Sequence, residues 1–84
     1  MQDRNIIGRR VREARKAAKP PITQLDLIAR LQLQGIMMDQ SGLSKIETGK
    51  RPVSDFEVLA FARALNVTTY WLLGESNKPA HGEA

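Results

Sequence analysis

The chain has 84 residues, 42% hydrophobic and 26% charged, with no cysteine and a formal net charge of +4. That is one domain at most, able to hide roughly 60 to 65% of its unfolded surface, which suffices for one small core and excludes a deep catalytic cleft. Without cysteine there is no disulfide framework and no thiolate zinc site, and no apolar run approaches the ~18 residues of a membrane span.

Charge is unevenly spread. Residues 1–53 hold eleven basic and five acidic side chains, residues 54–84 two and four, so the first part carries +6 and the second −2. The first part is the expected face for a polyanion. The start, "MQDRNIIGRR", lacks the continuous apolar block of a secretory signal, and a cytoplasmic protein with no membrane partner is expected.

Apolar Ile7, Val11, Ala14 and Ala18 recur at helical spacing, so "NIIGRRVREARKAAK" reads as an amphipathic helix with a basic outer face, ended by Pro20 and Pro21. Thr23 is placed to cap a second helix running to about Leu33, with Leu27, Ile28 and Leu31 as its inner stripe. "QGIMM" is a connector in which Gly35 suits a left-handed helix end. Asp39 then caps a short third helix with Leu43 and Ile46 facing inward, closed by Gly49. "SDFE" has the capping-box form and starts a fourth helix over Val58, Phe61, Ala62 and Leu65, ended by Asn66. Thr68 caps a last turn, "TYWLL", stopped by Gly74. Residues 75–84 have no apolar side chain larger than alanine and are expected to be a flexible tail behind a 1–74 domain. The reading is all-α, five helices around one core.

Two short, tightly joined helices inside a small bundle are the helix-turn-helix arrangement, which lays its second helix in the DNA major groove. "TQLDLIARL", "SGLSKIETGKRPVSDFEVLAFARALNV" and "WLLG", in that order, resemble the phage-repressor and Cro-like helix-turn-helix family, also called the xenobiotic-response-element family, over residues 6 to 74. The resemblance implies a lambda-repressor-like fold and a recognition helix from Asp39 to about Thr48, with Gln40, Ser41, Ser44 and Lys45 outward. Their chemistry agrees: Gln pairs with adenine, Lys donates to guanine, and Ser serves either base. Thr23 and Gln24 open the second helix, where free N–H groups and the positive dipole end suit a phosphate, with Thr23 the better cap and Gln24 the contact that the family implies. Lys50 and Arg51 follow the recognition helix and are expected beside the sugar-phosphate backbone, fixing register rather than sequence.

Glu47 is an acid among these bases. It lies next to Ile46 and four residues past Leu43, so it turns at least partly toward the bundle, where a carboxylate needs a partner. The residues alone leave open a surface contact to Lys50 or Arg51; the resemblance implies Arg15, in a brace between the first and third helices. Two departures from the family pattern bear on docking. Leu27 is followed by Ile28 before Ala29, where the family has a small residue, and the connector through "LQLQGIMM" is long, so that either the second helix extends by a turn or the loop bulges.

Catalysis has no support: the only histidine, His81, lies in the tail, the acids are scattered, and Gly35, Gly42 and Gly49 form no phosphate loop. No cofactor or metal is implied. The expected function is sequence-specific binding of double-stranded DNA by a small transcription regulator, a repressor acting as a homodimer on a palindrome. The alternative is a protein-interaction adaptor or antitoxin-like component on the same fold, using an apolar patch drawn from Phe56, Leu59, Tyr70, Trp71 and Leu72.

Overall fold

The computed structural model describes residues 5–76, and among these it contains five helices and no strand. They are α1 (Gly8–Ala17), α2 (Gln24–Leu33), α3 (Gln40–Glu47), α4 (Asp55–Leu65) and α5 (Thr69–Leu72). The expected five-helix, all-α arrangement is the one observed. Most of the expected tail, including His81, lies outside the described residues.

Local chemistry sets the boundaries of α2 to α5. Each starts on a side-chain oxygen that accepts from the amide three residues on: Thr23 from Asp26 at 3.0 Å, Asp39 from Gly42 at 2.7 Å, Ser54 from Glu57 at 3.2 Å and Thr68 from Trp71 at 3.0 Å. Such caps contribute about 0.5–2 kcal/mol each. Asp26 and Glu57 reach back to the capping residues' own N–H groups, so α2 and α4 carry full capping boxes. The same four helices end alike. Gly35, Gly49, Asn66 and Gly74 take positive φ, and the next amide reaches back five residues, Ile36 to the Leu31 carbonyl and Lys50 to that of Lys45. This satisfies carbonyls that a helix end otherwise leaves bare.

The first helix differs from the expected span, beginning at Gly8 and ending at Ala17. Asn5 is the reason at the start: its Oδ1 accepts from Ile7 N (3.2 Å) and Gly8 N (2.9 Å), curling the preceding residues into a turn. At the other end Ala18 is extended ahead of the two prolines, and Ile22 N returns to the Arg15 carbonyl at 2.9 Å.

The core forms around α4, which packs on α1, α2 and α5 and contributes Phe61, Leu65 and three alanines that allow close approach. Ile7 arrives from the turn before α1 and Val11 from α1, Leu27 and Leu31 from α2, Leu43 and Ile46 from α3, and Trp71 and Leu72 from α5. Full burial of an aliphatic or aromatic side chain of this kind contributes about 1.5–3 kcal/mol. Arg30 donates to the Ala64 carbonyl at 3.1 Å, a cation on the negative end of α4. Of the apolar set expected near the C-terminal end, Trp71 and Leu72 are core, whereas Phe56, Leu59 and Tyr70 are exposed.

The α2–α3 connector resolves the length difference. Helix α2 stops at Leu33, and residues 34–39 then alternate, with Ile36 and Met38 packed on the core and Met37 outside. Ile28 also packs against the core, while Ala29 is exposed.

Candidate nucleic-acid interface

Helix α3 has only eight residues, and three of them, Leu43, Ile46 and Glu47, are buried. Two apolar side chains cannot by themselves fix the tilt and roll of a helix, because hydrophobic burial is non-directional. Polar groups from three other segments supply the direction.

Below α3 lies Arg15. Its Nε donates to Glu47 Oε2 at 2.8 Å and a terminal nitrogen to Oε1 at 3.0 Å, a two-pronged pair, while Nη1 donates to the Ile22 carbonyl at 3.2 Å. Both side chains are largely out of water, 12% exposed for Arg15 and 4% for Glu47, so the contact is planar, charge-assisted and shielded. The carboxylate is shielded from solvent and pairs with Arg15, not with Lys50.

From α2, Gln24 leans over the same carboxylate. Its Nε2 donates to Glu47 Oε1 and to Ser44 Oγ, both at 3.2 Å, and its Oε1 accepts from Gln40 Nε2 at 3.1 Å. A continuous polar chain therefore runs from Arg15 through Glu47 and Gln24 to Gln40 at the exposed start of α3. Ser41 and Lys45 stay outside it, exposed and without a side-chain hydrogen bond among the described residues.

The far end of α3 is held from the N-terminal segment. Asn5 Nδ2 donates to the Ile46 carbonyl at 2.8 Å and to the Arg51 carbonyl at 2.9 Å, joining the last turn of α3 to the segment after it. Gly8 sits so close that a Cβ there would run into the Ile46 carbonyl. No buried side-chain nitrogen or oxygen among the described residues lacks a partner. The network is complete, the condition under which buried polar groups rigidify rather than weaken a structure.

The remaining residues expected at phosphates are distributed differently. Thr23 is exposed and spends its hydroxyl oxygen on the α2 cap. Lys50 is exposed just beyond α3. Arg51 is half-buried, donating to Glu57 Oε2 at 3.0 Å, so part of its charge is already met. The structure thus brings Gln24, Gln40, Ser44, Glu47 and Arg15 into one cluster and sets Lys50 and Arg51 outside it, just past the C-terminal end of α3. Asn5 and Gly8 belong to the site and were absent from the sequence expectation; their traces are an asparagine three residues before a helix start and a glycine inside an otherwise helical run.

No group of three or more metal-ligating side chains occurs among the described residues, and no helix there is long and apolar enough to cross a membrane. A family model described as a helix-turn-helix domain matches residues 6–69, from the turn before α1 to the first residue of α5. No curated protein and no solved structure gives a significant match.

Proposed function

The chain belongs to the helix-turn-helix domain family, and on that premise we propose that it binds double-stranded DNA sequence-specifically, with α3 in the major groove, as a small transcription regulator. The observation that carries this reading is the division of α3 into a braced inner side and an open outer side. Leu43, Ile46 and Glu47 are locked from beneath, while Gln40, Ser41 and Lys45 face solvent with Ser44 at the margin.

In this reading the base readers are Gln40, Ser41, Ser44 and Lys45. The hydrogen bond from Gln40 to Gln24 holds the Gln40 amide in one plane, pre-oriented for the two-pronged contact with adenine, and Lys45 donates to guanine. The Gln24 backbone N–H and the Thr23 hydroxyl, at the positive end of α2, and Lys50 meet phosphates, since both side-chain N–H groups of Gln24 are taken by Glu47 and Ser44. Arg51 supports them while remaining tied to Glu57. Arg15 and Glu47 touch no DNA and set the angle at which α3 enters. Occupation of a palindromic operator by a homodimer would repress by covering the site, with half-sites about 34 Å apart.

Selection from randomised duplex DNA tests the reading. Enrichment of a two-fold symmetric motif is the expected result, and recovery of no sequence above background would overturn it. Raising salt from about 50 to 200 mM should weaken the selected complex roughly 10³-fold or more through counterion release; a flat response would remove Lys50 and the α2 end from the phosphate contacts.

A further inference from the structure

Helix α4 has an outer face that the fold leaves uncovered. Phe56 is 77% and Leu59 41% exposed, and both line a groove of about 500 Å³ between α4 and the connector at Gly35 and Ile36. Asp55, Leu59 and Arg63 fall at i, i+4 and i+8, one row on the helix surface, with Phe56 beside it. The row therefore reads acid, apolar, base, and it is its own complement when reversed. Arg63 has no ion pair among the described residues, and Asp55 uses one oxygen on the Phe56 amide.

We infer that α4 is the homodimer contact, packing antiparallel on the α4 of a second copy about a twofold axis at Leu59. Asp55 and Arg63 lie about 6 Å to either side of Leu59 along the helix. The axis consequently brings Asp55 level with the partner's Arg63 and repeats the pair on the other side, as an isologous interface must. Phe56 of each copy then lies over the Ala60–Arg63 turn of the other, at the groove that Ile36 and Gly35 complete. An apolar centre with a charged rim is the usual build of a specific interface. The same groove wall leads through the connector into α3, so this contact sets the spacing of the two recognition helices. The inference rests on the proposed DNA-binding pair and identifies the surface that makes it.

Sedimentation velocity of the full chain, without DNA, is the test. The wild type should be a dimer at micromolar concentration, with a melting transition that rises with protein concentration, and Leu59→Lys a monomer with unchanged helical content and a concentration-independent transition. Asp55→Arg and Arg63→Asp should each weaken dimerisation at least tenfold, because each places like charges at both ends of the contact. Mixed in equal amounts they should pair, since every end then meets its opposite. A monomeric wild type, a dimer indifferent to all three changes, or a mixture no better than its components would each overturn the assignment. A monomer that still selects a DNA sequence defeats only this contact, whereas a dimer that selects none defeats only the DNA-binding reading.

Discussion

Helices α3 and α4 belong to one small bundle and are held in opposite ways. α4 buries five of its eleven residues, all apolar, and packs its inner side against three other helices. α3 buries three of eight, one of them a carboxylate, and is fastened by side-chain hydrogen bonds from Asn5, Arg15 and Gln24. With only Leu43 and Ile46 as buried apolar side chains, α3 cannot be oriented by packing alone, and the lesson is that directional contacts replace the missing packing.

The comparison can be broken from either side. On the apolar side, Phe61→Ala should have the largest effect, costing about 3–5 kcal/mol in urea unfolding; a loss below 1 kcal/mol would mean that α4 is not the centre of the core. On the polar side, Glu47→Ala strips Arg15 of its carboxylate and leaves only the Ile22 carbonyl, an expected loss of about 3 kcal/mol. The shape-conserving Glu47→Gln should cost less than that, yet clearly more than Lys50→Gln, which should stay within about 0.5 kcal/mol. Equal melting points for those two variants would contradict the brace.

Gly8→Ala probes where the two modes meet. The added methyl meets the Ile46 carbonyl, so α1 and α3 must separate, at an expected cost of about 1–3 kcal/mol. Loss of DNA affinity should accompany the loss of stability; intact affinity would show that the end of α3 tolerates displacement. Smallest in stability is Lys45→Ala, expected within about 0.5 kcal/mol of wild type in melting but poorer by about 1–3 kcal/mol in discriminating its base pair. An unchanged sequence preference would take Lys45 out of the base readers and sharpen attention on Gln40 and Ser41.

Much of the fold could be read from the residues because its boundaries are local. Thr23, Asp39, Ser54 and Thr68 cap, and Gly35, Gly49, Asn66 and Gly74 terminate, through contacts within a few positions of themselves. Spacing also brought out the inward turn of Leu43 and Ile46. The polar cluster was harder to see, since it joins residues 5, 15, 24 and 47, whose proximity exists only after the helices pack. Asn5 illustrates this best: four of its bonds define the site, and two of them cross more than forty residues. The outer face of α4 was legible in part: Phe56 and Leu59 belong to the apolar patch the sequence offered, but periodicity does not say that they and Tyr70 stay outside while Trp71 and Leu72 of the same set join the core.

The junction of α1 and α5 has a practical consequence. Trp71 is the only tryptophan, 5% exposed, with the Arg10 guanidinium 4.9 Å from its ring centre and bonded to its carbonyl at 2.8 Å. A single shielded indole under a cation makes the protein its own fluorescent gauge of whether the C-terminal turn is seated. Its emission should shift to the red as that turn undocks, offering an optical record of conformational integrity while DNA occupancy is followed by a separate label.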